Sequence, residues 1–181
     1  MVCTGNLCRS PMAEALMREA VKRAGCDIEV ASAGTWAYYG NTATVEAVEV
    51  LQGRGIDLSG HQSRALDPKE LKAADLIVGM TSVHRREILE VAPDVDNKLI
   101  LMKELVEIAL DGDVPDGSEA RLERLLGATR PKWRRALDLD DPIGKPIGAY
   151  EKTVAQIELG IEVLVTALCG PPPAERENKA R

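Results

Sequence analysis

Within its first ten residues the chain brings a thiol, a tight turn and a guanidinium close together: Cys3-Thr4-Gly5-Asn6-Leu7-Cys8-Arg9-Ser10, followed by Pro11. A thiol attacks phosphorus only as the thiolate, and a free cysteine, with a pKa of about 8.5, is mostly protonated near neutral pH. The residues from Thr4 to Cys8 supply what favours the anion. Wrapped with their N–H groups inward they form an anion nest, and the helix that follows adds the positive end of its dipole. Gly5 lets the backbone turn tightly, while Asn6 tolerates a left-handed conformation and can lock the turn through its amide. Arg9 offers a planar fork to two oxygens of a phosphate. Ser10 can hydrogen-bond the thiolate and cap the helix. A loop that holds a thiolate also holds a phosphate dianion and the more highly charged oxygens of an in-line displacement. The chemistry read from these residue types is phosphoryl transfer onto sulfur. No metal and no other cofactor is called for, because Arg9 and the amides carry the charge.

The loop needs elements to hold it. SPMAEALMREAVKRAG predicts a helix in which Pro11 suits the first helical position and Glu14 the first turn. Leu16, Met17, Ala20 and Val21 recur at helical spacing, and Gly25 stops it. IEVAS (28–32) reads as a short strand running into Ser32-Ala33-Gly34. A second helix starts near Thr44 and ends at Gly53, and Asp67-Pro68 with Glu70 marks a third start. DLIVGM (75–80) and KLILM (98–102) are continuous apolar strands of the kind buried on both faces, with a charged helix around HRREILEV between them. The last helix, 147–168, stops at CGPPP. The alternation implies an α/β fold: a small doubly wound, mostly parallel sheet of about four strands flanked by helices, with the phosphate-binding loop at the N-terminus. One domain is expected over 1–170, with no internal repeat, and a disordered polar tail over 171–181. The stretch 103–138 is helical in character, broken by DGDVPDGS, and carries no chemical signal. Its basic cluster, Arg130, Lys132, Arg134 and Arg135, reads as a solvated helix face.

The composition narrows the class. At 181 residues, 45% hydrophobic and 29% charged, the chain holds one full core; with 3% aromatics and no Phe that core is aliphatic. A net charge of −6 argues against nucleic acid or an anionic membrane as a partner, while leaving room for one positive cleft. There is no secretory signal pattern and no apolar run long enough to span a bilayer, which places the chain in the cytoplasm. Cys3, Cys8, Cys26 and Cys169 are irregularly spaced and read as reduced thiols rather than a disulfide framework. With two histidines and neither near a cysteine pair, a zinc site is not expected.

VCTGNLCRSPMAEA closely resembles the active-site signature of the low-molecular-weight protein tyrosine phosphatases, a superfamily shared with protein arginine phosphatases and thioredoxin-coupled arsenate reductases. The likeness covers residues 1–105 and resumes from Asp141, leaving 103–138 as a family-variable insertion. It implies a cysteine-dependent hydrolase with Cys3 as nucleophile, Arg9 as phosphate clamp and Ser10 as the partner of the thiolate. Thr4, Gly5, Asn6, Leu7 and Cys8 would complete the phosphate-binding loop. It implies further that Ser32, in ASAG, and His61, in HQSR, support Asn6. The general acid would be the aspartate before proline in LDDPIGKP, Asp141. Pro142 restricts Asp141 to extended backbone, and Asp138 and Asp140 are carboxylates able to favour its protonated form by repulsion. An acid that must be protonated in the first step gives activity that falls as pH rises toward 7–8.

The resemblance implies a phosphorylated protein as substrate and a tyrosine kinase as counterpart. Leu7 stands where tyrosine-directed members carry a branched aliphatic, which favours phosphotyrosine. Trp36, with Tyr38 or Tyr39, would form the aromatic wall. SAGTWAYYGNTAT also matches that loop in arginine phosphatases, and Ile143 replaces the usual aromatic after Asp-Pro, so phosphoarginine is the alternative. Arsenate reduction fits less well, since 81–101 holds no cysteine to pass a disulfide outward. Cys8 is near enough to Cys3 for a reversible protective disulfide. The family's central strand is longer than Met1 and Val2 allow, and each missing buried side chain costs about 1.5–3 kcal/mol. The expectation is a truncated first strand with the natural start upstream, or otherwise a phosphate-binding module without turnover.

Overall fold

The structure is a computed structural model that describes residues 1–109, 118–127 and 137–170. Four strands, β1 (Val2–Cys3), β2 (Ala33–Gly34), β3 (Ile77–Gly79) and β4 (Leu99–Leu101), form one sheet in the order β2-β1-β3-β4, and every pairing is parallel. Register is set by Val2 opposite Ala33 on one side and Gly79 on the other. Two residues thus suffice in β1 to join both neighbours. The connections are α1 (Arg9–Ala24), α2 (Val45–Gln52), α3 (Pro68–Ala73), α4 (Ser82–Val91) and a 3₁₀ turn at Pro93–Lys98; then come α5 (Met102–Ala109), α6 (Ser118–Gly127) and α7 (Ile147–Cys169).

Side chains alternate across the sheet as strand geometry requires. Cys3, Val78 and Ile100 point into a larger core with α1, α2, α5, α6 and α7, built on Met12, Leu16, Met17, Val154, Ile157 and Ile161. Val2, Ile77 and Leu99 point the other way, into a smaller core with Leu71, Ile88, Ala92 and Val95 under α3 and α4. Both faces are covered, which is why the strands read as unbroken apolar runs. The doubly wound architecture is therefore as the sequence implies.

Local signals hold at several ends. Gly25 closes α1 with φ 67°, Thr44 caps α2 by accepting from the Ala47 N–H, and Asp67 caps α3 by accepting from the Lys69 N–H at 2.8 Å. Three readings need correction. The segment 28–32 is not a strand: β2 begins at Ala33, opposite Val2, and the last link before it is the Met1 amine donating to Ala31 O at 2.8 Å. The first helix begins at Arg9, so Pro11 lies in its third position, Glu14 lies beyond the first turn and pairs with Arg18, and Ser10 does not cap. Cys26 and Cys169 are joined as a disulfide across 143 residues, with Cα atoms 5.8 Å apart, rather than being reduced thiols. Their spacing in sequence hides the reason: α1 and α7 pack side by side and end together. The cluster Arg130, Lys132, Arg134 and Arg135 and the tail 171–181 lie outside the described residues, as do parts of 103–138. No helix among the described residues is long and apolar enough to cross a membrane.

Candidate active site

The loop between β1 and α1 sits where three elements converge, and its neighbours decide which way its peptides face. Cys3 O accepts from Thr35 N at 2.9 Å, Thr4 O from Trp36 N at 2.9 Å, Asn6 O from His61 Nε2 at 2.8 Å and Leu7 O from Thr44 N at 2.9 Å. All four carbonyls are turned outward. Each trans peptide sets its N–H opposite its C=O, so the N–H groups of Thr4, Gly5, Leu7 and Cys8 face the inside of the loop. That is an anion nest built by its surroundings.

Asn6 is the non-glycine residue of positive φ among the described residues, at 54°, and it is fully buried. Its amide uses every hydrogen: Nδ2 donates to Ser10 Oγ at 2.9 Å and to Ser32 Oγ at 2.8 Å, while Oδ1 accepts from Arg64 N at 3.0 Å. A left-handed residue costs about 1–2 kcal/mol. Three side-chain hydrogen bonds, at about 0.5–1.5 kcal/mol each, outweigh that cost. Gly34 is required by approach rather than by φ. A Cβ there would stand 2.4 Å from Thr4 O and 2.9 Å from Asn6 N.

Cys3 is buried at the loop's base, and its Sγ shares a hydrogen bond with Ser10 Oγ at 3.0 Å. Ser10 also reaches Ala33 O at 3.3 Å. Its single proton serves Ala33 when Cys3 is a thiol and turns to the sulfur when Cys3 is a thiolate. The Arg9 guanidinium, buried, donates to Leu139 O at 3.3 Å and forms an ion pair with Asp141, while its Nε is buried without a partner among the described residues. A buried donor with no protein acceptor is costly unless an anion takes it. Cys8 is a free thiol, as is Cys3. Burial first, then the charges of Cys3 and Asp141, push the Cys8 thiol up to about 12, so it stays protonated; it donates to Asp141 Oδ1 at 3.8 Å.

The segment bearing Asp141 is hung on the sheet. Leu139 N donates to Met80 O at 2.9 Å, just past β3, and Asp138 accepts from Ser82 N and Ser82 Oγ at the start of α4. Asp138 therefore anchors this segment, and Asp140 is exposed, its carbonyl accepting from Thr153 Oγ1. Asp141 Oδ1 accepts from Ile143 N at 3.1 Å, which orients the carboxylate after Pro142 closes the turn.

Residues predicted from sequence thus meet at one place: Cys3 through Ser10, Ser32, His61 and Asp141. Leu7 is half-buried in the loop, and Trp36 lies against Thr4 through the backbone. Tyr38 and Tyr39 are 82% and 84% exposed and stand out in solvent. The sequence reading missed Gly34, Arg64 and above all His84. His84 is buried in α4; its Nε2 shares a hydrogen bond with Thr4 Oγ1 at 2.8 Å and its Nδ1 one with Thr81 Oγ1 at 2.9 Å. Burial, then Arg9, lower its pKa to about 4, so the ring is neutral. Only Thr81, a polar residue at a helix start, carried a local signal.

Comparison with known proteins follows the same lines. The family model "Low molecular weight phosphotyrosine protein phosphatase" matches residues 1–127, including α5 and α6. The chain is 32% identical over 165 residues to the probable low molecular weight protein-tyrosine-phosphatase EpsP of Ralstonia solanacearum, covering 91% of each chain. It is 41% identical over 115 residues to the protein-arginine-phosphatase of Bacillus subtilis, 64% of this chain and 75% of that protein. The crystal structure of the low molecular weight protein tyrosine phosphatase from T. tengcongensis superposes with a TM-score of 0.72 at 35% identity, covering 92% of this chain and 96% of that one. With the nest, the thiol and the guanidinium on one loop, this chain belongs to the low molecular weight phosphotyrosine protein phosphatase family.

Proposed function

We propose that the chain hydrolyses phosphotyrosine in proteins through a phosphocysteine intermediate. The observation that carries this reading is the shared position of the Cys3 thiol, the Arg9 guanidinium and the Asp141 carboxyl around one inward-facing set of amides. In the first step the Cys3 thiolate attacks phosphorus and the ester P–O bond breaks. Asp141 gives its proton to the departing phenolate oxygen. Arg9 and the loop amides hold the three non-bridging oxygens, whose charge grows toward the transition state. In the second step Asp141, now a carboxylate, takes a proton from water as that water attacks phosphorus. The S–P bond breaks, and inorganic phosphate leaves with the thiolate restored. No step calls on a metal.

Leu7 and Trp36 supply apolar and aromatic surface beside the loop, which suits a phenyl ring. Phosphoarginine is the second reading, favoured by the 41% identity with the Bacillus subtilis arginine phosphatase. A cytoplasmic site of action and a tyrosine kinase as counterpart belong to the same proposal. The test is phosphate release from an aryl phosphate, a phosphotyrosine peptide and a phosphoarginine peptide, with Cys3→Ser as the control. Cys3-dependent turnover with a higher kcat/KM on phosphotyrosine is expected. A higher value on phosphoarginine would exchange the two readings, and no turnover on any of the three would remove both.

A further inference from the structure

The α4 helix carries two polar side chains, one turn apart, toward the same rim of the loop. His84 reaches the Thr4 hydroxyl, and Glu87, three residues on and so on the same face, accepts from Trp36 Nε1 at 2.9 Å. Trp36 and Thr4 are themselves adjacent, through Trp36 N and Thr4 O at 2.9 Å. Trp36 is 72% exposed, so packing alone does not fix its ring. The other oxygen of Glu87, Oε2, is buried and has no hydrogen-bond partner among the described residues. A carboxylate that keeps one buried oxygen unpaired while the other holds an exposed indole is poorly explained as a stability device, because an unpaired buried acceptor costs free energy.

We propose that Glu87 is a positioning residue for substrate recognition: it fixes the Trp36 indole as a preformed wall beside the mouth of the Cys3 loop, against which the ring of the phosphorylated side chain stacks. The inference rests on the phosphatase reading above and names a residue on which that reading does not depend. A tryptophan on a loop keeps its rotamer freedom unless something ties its one donor, and ordering it on binding subtracts from affinity. Glu87 ties it beforehand. The effect falls on the organic part of the substrate alone, because the hydrogen bond of Glu87 goes to the Trp36 indole and not to the loop amides or Arg9 that take the phosphoryl oxygens.

The experiment compares Glu87→Ala, Glu87→Gln, Trp36→Phe and the double variant Glu87→Ala/Trp36→Phe. Readouts are KM and kcat for an aryl phosphate, the inhibition constant of inorganic phosphate, and the calorimetric affinity of an aryl phosphonate. Glu87→Ala should raise KM and weaken the phosphonate about threefold to tenfold, the range of one aromatic contact, with kcat and the phosphate constant unchanged. Glu87→Gln, which keeps an acceptor oxygen, should behave as the parent protein. In the Trp36→Phe background, which lacks the indole N–H, Glu87→Ala should add nothing further. Equal damage from Glu87→Gln, additive effects in the double variant, or a phosphate constant that moves with KM would each overturn the proposal. If the parent chain shows no Cys3-dependent turnover the phosphatase reading fails, and phosphonate affinity across the same variants still decides the role of Glu87.

Discussion

Arg9 and Asp141, 132 residues apart in sequence, form an ion pair in which the buried guanidinium of the phosphate loop is held by the carboxylate proposed as the general acid. In the proposed mechanism the same guanidinium surface takes the incoming phosphate, so phosphate binding would displace Asp141 from Arg9 and free it to face the leaving group. The Asp141 side chain is 40% exposed, which limits the pair to about 1 kcal/mol.

Asp141→Asn therefore separates binding from chemistry. Removing the proton donor should lower kcat on phosphotyrosine by about 10²- to 10⁴-fold. Removing the internal anion should tighten inorganic phosphate, by up to about fivefold on the discounted value of the pair. Steady-state kinetics with phosphate inhibition reads both. Weaker phosphate binding in the variant would show that the ion pair does not compete with the ligand.

Asn6 and Ser32 differ in what their loss leaves behind. Asn6→Ala removes three hydrogen bonds and puts alanine at positive φ, and should cost about 2–4 kcal/mol with most of the activity. Ser32→Ala removes one acceptor and should cost about 1 kcal/mol. Denaturant unfolding orders the two. Equal losses would mean that the left-handed turn is not what Asn6 sustains.

The buried ring of His84 makes stability depend on pH. Its pKa is lowered from 6.5 to about 4, chiefly by burial. Between those values the unfolded chain takes up a proton that the folded chain refuses. The stability present above pH 6.5 is therefore lost as pH falls toward 4, by up to about 3 kcal/mol. In His84→Gln, unfolding between pH 7 and 4.5 should lose that component, and an unchanged slope would assign the acid sensitivity elsewhere.

Cys26 and Cys169 tie the end of α1 to the end of α7. Closing a loop of 143 residues is worth about 5 kcal/mol in the chain-entropy model. Cys169→Ser and added reductant should lower the melting temperature by the same amount, while Cys3-dependent chemistry persists. Alkylation of the denatured chain without reductant should label two of the four cysteines. Four labelled thiols would place the protein, as isolated, in the reduced form.

The sequence by itself determined everything whose physics is local. A thiol, a Gly-Asn turn and an arginine within seven residues define an anion loop, because the backbone that joins them also orients them. Gly25, Thr44 and Asp67-Pro68 announce helix ends through their own conformational preferences, and unbroken apolar runs around Val78 and Ile100 announce strands covered on both faces. The likeness of the whole motif carried Asp141, Ser32 and His61 with it. Tertiary structure alone decided which surfaces meet. Ser10, a cap by its place in sequence, turns to sulfur because the helix starts two residues sooner and Cys3 lies beneath it. The segment 28–32 has strand composition, yet the sheet takes up only Ala33 and Gly34 beyond it. Cys26 finds Cys169, Asp138 finds Ser82, His84 finds Thr4 and Glu87 finds Trp36 only after the sheet has stacked its helices. Hydrogen bonds and ion pairs act over a few ångströms of space, and no spacing along the chain records which distant residues that space will hold.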